Sequence, residues 1–243
     1  MFRIALLAAT VALVACGGGG SGGSSVAAPA VVAASAEGFW NGTGSNGVAM
    51  SMVILENGET WGLYGSSSSI NGAFFGSTSV NGTSVLISGS AFDFVSRASS
   101  SGTLTGSVAT KSTLNVVSSA GTTLNAAYNA QYDQTPSMAN LAGTYSGQAV
   151  TGNTAPQAAI VTISAAGVVS SVGTGCTTSG TATPRATGKN IFNISVTSTG
   201  PSCALGNGTV ATGIASFNPA TRQLVSMAMN PAKSDGFIYV GTR

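Results

Sequence analysis

The sequence has no histidine, and this absence removes the side chain on which the commonest nucleophilic catalysts depend. Ser-His-Asp and Cys-His sites both use an imidazole as the base that activates the nucleophile. Without histidine, the few cysteines would also make a poor zinc site. The composition therefore favours a protein that is not an enzyme and that holds neither a cofactor nor a metal.

Charged side chains are almost as rare, since Lys, Arg, Asp and Glu together make up 6% of the 243 residues. The 8 basic residues do not supply the basic stripe that contacts a nucleic-acid backbone, so we expect no nucleic-acid partner. Glu56 and Glu59 are the one close carboxylate pair. They flank Asn57-Gly58, where a soluble turn is a simpler interpretation than a glycosidase site.

The start of the chain carries its most specific motif. Arg3 is followed by an apolar run, Ile4–Ala15, which is shorter than the ~20 residues that span a bilayer as a helix. The run ends in Leu13-Val14-Ala15-Cys16, which resembles the lipobox of bacterial lipoproteins. In that family the cysteine thiol receives a diacylglycerol, a peptidase cuts before it, and the new amine is acylated, for example with palmitate.

This resemblance implies a signal peptide at residues 1–15, lipidation at Cys16 and stable anchoring in a membrane by the acyl chains. In Gram-negative members of the family, an aspartate after the cysteine marks retention in the inner membrane, whereas Gly17 follows it here. The implied location is therefore the cell outer membrane, facing either the surface or the periplasm. The alternative is an ordinary secretory signal with an incidental cysteine.

Residues 16–36 are rich in glycine, serine and alanine and predict a flexible tether that begins at the lipidated cysteine. Export would place the rest of the chain in an oxidising compartment, where cysteines pair. Cys176 and Cys203 are the only cysteines left, and we predict that they form a disulfide. Metal ligation by the two thiols is the weaker alternative.

Beyond the tether, short alternating apolar runs separated by turn residues predict an all-β fold. The dipeptide Asn-Gly, which favours tight hairpin turns, occurs six times. The clearest hairpin joins Met50–Glu56 to Glu59–Tyr64 through Asn57-Gly58. About eight strands are readable in the first half of the chain.

The second half of the chain resembles the first, which indicates a tandem duplication. Trp40-Asn41-Gly42 corresponds to Tyr145-Ser146-Gly147, and Val53–Gly58 corresponds to Thr162–Gly167. The offset grows from 105 to 109, which predicts a longer first hairpin loop in the second half, at Thr151–Gln157. Farther on, the best residue matches are Gly106 with Gly213, Leu114 with Leu224 and Tyr128 with Tyr239.

Each half, at residues 37–134 and 138–243, has the size of a small up-and-down barrel. Few charges or prolines are available to guard sheet edges, which favours closed sheets. Gly38-Phe39-Trp40 and Gly143-Thr144-Tyr145 also resemble the first strand of lipocalins and avidins, whose aromatic residue closes the barrel floor. We predict two tandem small antiparallel up-and-down barrels or barrel-like sandwiches, with one larger barrel as the alternative.

The candidate ligand-binding residues are Asp93, Trp40, Trp61 and Tyr145. Asp93 alternates with Phe92 and Phe94, so it lies inside a barrel if both rings pack outward. An exposed ion pair with Arg97 is the alternative for Asp93. Core packing is the alternative for the aromatic candidates.

Together these features predict a lipid-anchored outer-membrane protein that acts as a non-catalytic binding module of the cell envelope. Its partner would be a protein, a glycan or a small apolar ligand. The mature part resembles uncharacterised outer-membrane lipoproteins more than any enzyme. One alternative is an inhibitor of a protease or lysozyme, and the other is a structural or assembly factor of the outer membrane.

Overall fold

The computed structural model describes residues 33–66 and 69–243. The predicted signal peptide, Cys16 and residues 17–32 of the predicted tether lie outside the described residues. Almost all of the described chain forms β-strands and the turns that join them.

The first eight strands form a closed antiparallel barrel, in which each strand pairs with the next and the last returns to the first. They are β1 Gly38–Gly44, β2 Ala49–Ile54, β3 Glu59–Gly65, β4 Ile70–Asn81, β5 Ser84–Asp93, β6 Ala98–Ala109, β7 Thr113–Ser118 and β8 Thr123–Asn129. A 3-10 turn at Ala130–Asp133 and a one-turn helix, α1 Met138–Leu141, lead into the second half.

The next eight strands close into a second antiparallel barrel, in which β9 pairs with both β10 and β16. They are β9 Gly143–Thr151, β10 Gln157–Ile163, β11 Val168–Gly173, β12 Cys176–Pro184, β13 Phe192–Thr199, β14 Val210–Asn218, β15 Gln223–Met229 and β16 Gly236–Thr242. The prediction of two tandem up-and-down barrels is confirmed. The strands form neither sandwiches nor one larger barrel.

The Asn-Gly dipeptides have two structural uses. Four of the six lie in turns, as at Gly58, where φ is 81°. The other two lie inside strands, at Gly42 in β1 and Gly72 in β4. A Cβ at Gly42 would collide with the backbone of Asn125 on β8, so this glycine allows two strands to approach closely.

Each barrel has an aromatic residue at its floor, held in the same way. The indole Nε1 of Trp40 donates to the carbonyl of Ala36 at 2.7 Å, and the hydroxyl of Tyr145 donates to the carbonyl of Leu141 at 2.5 Å. Both acceptors lie four residues upstream, on the segment that leads into the barrel. The predicted match between Trp40 and Tyr145 therefore holds in structure.

The turn of the second hairpin shows which residues of the two barrels are equivalent. The carbonyl of Gly58 accepts from the amide of Thr78, and the carbonyl of Gly167 accepts from the amide of Ala182, both at 2.7 Å. The predicted longer loop is also present, because the first hairpin spans four more residues in the second barrel between equivalent pairs, Thr43 with Ala49 and Gln148 with Ala158.

In the later strands, two of the residue matches made from sequence are wrong. Strand pairing makes Ala215, and not Gly213, the equivalent of Gly106. It also makes Tyr239 the equivalent of Leu124, and not of Tyr128. The match of Leu114 with Leu224 is confirmed.

The two barrels pack against each other through a third apolar cluster, separate from the two barrel interiors. It joins outward side chains of both, among them Trp61 of the first barrel and Ile238 of the second. At its border, the guanidinium of Arg185 contacts the carboxylate of Glu56 at 2.7 Å, and this ion pair lowers the pKa of Glu56. The barrels are therefore joined by apolar packing and by charge.

Candidate ligand-binding site

The interior of the first barrel is filled. Phe74 packs against its core, and a Cβ added at Gly76 or Gly89 would come within 2.9 Å or 2.8 Å of the Phe74 ring. The strand relation described above places Thr178 at the equivalent position of the second barrel. Other inward positions also change to smaller side chains that line the second barrel, among them Tyr64 to Gly173 and Val116 to Ser226.

These smaller side chains leave a cavity of about 370 Å³ inside the second barrel. Its wall is mainly apolar and includes Val161, Ile194, Leu224 and Phe237. A volume of this size falls within the range of small-molecule sites in proteins. The interior of the second barrel is therefore the candidate ligand-binding site.

A few hydroxyl groups interrupt the apolar wall. They include those of Ser171, Thr178, Ser198 and Ser226. Ser198 and Ser226 are each 8% exposed, and neither hydroxyl has a hydrogen-bond partner in residues 33–66 and 69–243. Because both residues line the cavity, these hydroxyls can bind a polar group of a ligand.

The cavity has a neutral wall. Lys, Arg, Asp and Glu are absent from the described residues that line it. Its titratable side chain is Tyr239, whose hydroxyl donates to the carbonyl of Tyr145 at 2.8 Å, and burial raises the pKa of Tyr239 to about 12. A charged ligand would lose its water here without gaining a counter-charge.

The two ends of the second barrel differ. At the floor, Leu141 is fully buried, and the guanidinium of Arg243 donates to the carbonyls of Ala142 and Asn140. The cavity lies toward the opposite end, where Leu205 of the β13–β14 loop contributes to its wall. The floor is therefore closed, and access depends on the loop end.

A disulfide holds this loop. Cys203 in the β13–β14 loop is bonded to Cys176 at the start of β12, with the two Cα atoms 4.9 Å apart, so the predicted disulfide is confirmed. The amide of Ser202 also donates to the carbonyl of Gly175 at 3.1 Å. Cys176, Ser202 and Leu205 all line the cavity, so the bond fixes part of its rim.

The aromatic candidates from sequence lie outside the cavity wall. Trp40 and Tyr145 are buried at the two floors. Trp61 packs against Phe75, with ring centroids 4.6 Å apart, in the cluster between the barrels. Its indole N–H is fully buried and has no hydrogen-bond partner within residues 33–66 and 69–243. A void of about 30 Å³ lies beside it.

Asp93 lies at the rim of the first barrel, where β5 ends. Phe92 and Phe94 pack outward into the cluster between the barrels, as the alternation requires. The Oδ1 atom of Asp93 accepts from the amide of Ser96 at 2.7 Å and from its hydroxyl at 2.9 Å, and these bonds lower the pKa of Asp93. The ion pair with Arg97 is not formed within the described ranges. Asp93 therefore stabilises a turn, and its role as a ligand contact stays a prediction.

The sequence did not point to the hydroxyls of the cavity wall. Serine and threonine also cover the outer surface of these strands, so Thr178 looks like its exposed neighbour Thr177. The available signal was the alternation along β12, read together with the correct match of Thr178 to Phe74. That match requires the strand register.

Comparisons with protein-family models, with curated proteins and with solved structures find no match for this chain. Residues 33–66 and 69–243 contain no group of three or more His, Cys, Asp or Glu side chains placed to bind a metal ion. In the same residues, no helix has the length and apolar character needed to cross a membrane. The geometry of the sites therefore carries the information about function.

Proposed function

We propose that this protein is a lipid-anchored lipoprotein of the outer membrane that binds a small, uncharged, mainly apolar ligand inside its second barrel. The observation that supports this most directly is the cavity of about 370 Å³, present where Thr178 replaces the ring of Phe74. The first barrel has a filled core and serves as the structural partner.

The wall chemistry defines the ligand class. Aliphatic and aromatic side chains favour an apolar body, and burying it contributes roughly 25 cal/mol per Å². The free hydroxyls of Ser198 and Ser226 favour one or two polar groups on that body, such as a hydroxyl or a carbonyl. An alcohol, ester or amide with an aliphatic chain meets both requirements.

The sequence supports the proposed location in the outer membrane. Leu13-Val14-Ala15-Cys16 has the lipobox pattern, and Gly17 lacks the acidic side chain that marks inner-membrane retention. A ligand site on a membrane-anchored protein would meet apolar molecules where they concentrate.

The cavity can be tested with a neutral aliphatic alcohol that carries a photoreactive diazirine. Cells that make the full-length protein are treated with this probe and irradiated, and the labelled residues are mapped by peptide mass spectrometry. We expect label on residues of the cavity wall. Thr178→Phe should reduce this labelling about tenfold, or ~1.4 kcal/mol of binding free energy, because the added ring occupies the ligand volume.

Thr181→Phe is the matched control, because Thr181 lies on the outer, exposed face of the same strand. It should be labelled as the wild type is. Equal labelling of the cavity wall in the Thr178→Phe and wild-type proteins would contradict the proposal.

The lipid anchor needs a separate test. Cys16→Ala should leave an uncleaved precursor without acyl chains, because the peptidase of this family acts after the thiol is modified. Intact-mass measurement of the purified protein distinguishes the precursor from the acylated form. A Cys16→Ala protein that is still cleaved and acylated would overturn the proposed anchor.

A further inference from the structure

Besides the cavity of the second barrel, a cleft with a volume of about 370 Å³ lies between the two barrels. Along part of the barrel interface, outward side chains such as Val53 on β2 and Met227 on β15 belong to the apolar cluster that joins the barrels. Elsewhere the facing side chains are short or polar, such as Ser51 on β2 and Ser216 on β14. The two walls therefore separate and leave a cleft to which both barrels contribute.

Side-chain amides are concentrated in the wall of this cleft. They include the amides of Asn41, Asn129, Gln131, Asn218 and Gln223. Asn41, Gln131 and Gln223 have no side-chain hydrogen-bond partner within residues 33–66 and 69–243. Each amide offers two donors and an acceptor, so the wall presents both kinds of group.

The remaining two amides are partly used. The Oδ1 atom of Asn129 accepts from the amide of Gln131 at 3.0 Å, and the Oδ1 atom of Asn218 accepts from the amide of Ala220 at 3.0 Å. These bonds fix the orientation of both side chains. Their NH₂ groups donate to no described residue, so they remain available to a ligand.

The cleft is also uncharged, and part of its floor is apolar. Lys, Arg, Asp and Glu are absent from its described lining, and the ring of Phe39 and the side chain of Val225 contribute to the floor. Tyr64 stays protonated, because burial and the nearby Asp93 raise the pKa of its hydroxyl to about 12.

The matching ligand has many groups that both donate and accept hydrogen bonds, has C–H faces that can pack on the apolar part of the wall, and has no charge. An aliphatic molecule would leave the amides unpaired, and an ion would find no counter-charge. A neutral sugar has the required features. We propose that the cleft between the barrels is a second binding site, and that its ligand is a neutral saccharide.

This inference does not rest on the apolar ligand of the second barrel. The cavity and the cleft share no lining residue, so each can be disabled alone. The saccharide site also gives the paired barrels a function that neither barrel has by itself, because Asn41 belongs to the first and Gln223 to the second.

The test uses saturation-transfer NMR on the full-length protein, held in a detergent without a sugar headgroup. The probes are maltotriose, cellotriose and tri-N-acetylchitotriose, which separate plain hexoses from acetamido sugars, with tri-galacturonate as an anionic comparison. We expect saturable binding of at least one neutral probe and none of the anionic one. Asn41→Leu or Gln223→Leu should weaken binding about tenfold or more, because sugar hydroxyls lose their partner.

Asn125→Leu is the matched control, since Asn125 is an exposed amide on the outer face of β8 and lies outside the cleft. It should bind the neutral probe as the wild type does. No binding of any neutral probe at millimolar concentration would overturn the proposal. Binding that survives both Asn41→Leu and Gln223→Leu would overturn it as well.

Discussion

The first barrel is filled by side chains, whereas the second, built on the same strand order and the same floor bond, encloses a cavity. The largest differences lie at two inward positions, where Phe74 and Tyr64 of the first barrel are replaced by Thr178 and Gly173 of the second. Val116 and Ser226 differ in the same sense. A closed eight-stranded sheet therefore does not determine whether its interior holds a ligand, because a few inward side chains decide it.

The hollow barrel also carries the disulfide. A cavity removes packing contacts that a filled core would have, so it lowers the free energy of unfolding. The bond between Cys176 and Cys203 lies at the rim of this cavity and constrains the unfolded chain. This placement is consistent with a barrel that keeps an open interior and is stabilised by a covalent link.

Exchanging the side chains of Phe74 and Thr178 should have the largest effect on the free energy of unfolding. Phe74→Thr should lower the free energy of unfolding by about 3 to 5 kcal/mol, because it leaves a cavity in a filled core. Thr178→Phe puts a ring at the cavity wall, where it must pack beside Val196, and should lower that free energy less, by ~1 kcal/mol. Guanidinium denaturation measures both, with tryptophan fluorescence reporting the first barrel, which contains both tryptophans. Equal losses would show that the two interiors are equally well packed.

Removing the disulfide should have the next largest effect, and it should act on the second barrel. With the cysteines 27 positions apart in sequence, the double substitution Cys176→Ala and Cys203→Ala should lower the free energy of unfolding by roughly 3 to 4 kcal/mol. Hydrogen exchange should rise in β12–β14, with β4–β6 unchanged as the internal control. A uniform rise in both barrels, or none, would contradict this comparison.

The fold could be predicted because its signals are local. Alternating apolar residues and Asn-Gly turns define strands and hairpins, and the match of Trp40 to Tyr145 gives the start of the repeat. The match failed in the later strands, where Gly106 was assigned to another glycine. Loop lengths differ there, and backbone hydrogen bonds rather than residue identity fix the register.

The cavity could not be predicted for the same reason. In a chain where serine and threonine cover the surface, an inward Ser226 has no distinguishing sequence feature. The side-chain amides of the cleft are also individually ordinary, since Asn41 and Gln223 come together only when the barrels pack. Asp93 shows the reverse case, because its alternation was interpreted correctly but its place at a strand end directs its carboxylate to a turn.

The smallest expected effect concerns the link between the barrels. Asp133, in the connecting turn, is 2.9 Å from the Nζ of Lys111 in the first barrel and 2.7 Å from the Nζ of Lys189 in the second. Hydrogen bonds from Lys189 and then Lys111 hold the pKa of Asp133 below its ordinary value. Asp133→Asn should therefore lower the free energy of unfolding at neutral pH, by ~1 kcal/mol or less for such a surface cluster.

The pH dependence of this stabilisation follows from the direction in which the pKa of Asp133 is shifted. Because the pKa is lower in the folded chain, the carboxylate stabilises the fold above the pKa of the unfolded chain and loses this effect as pH falls through the folded value. The difference between wild type and Asp133→Asn, measured by denaturation at several pH values, should therefore shrink in acid. Glu59→Gln, at a carboxylate without an ion pair in the described part of the chain, should show no comparable difference. If the difference in free energy of unfolding stays constant from neutral to strongly acidic pH, then the charge of Asp133 does not stabilise the link between the barrels, and its packing and neutral hydrogen bonds do.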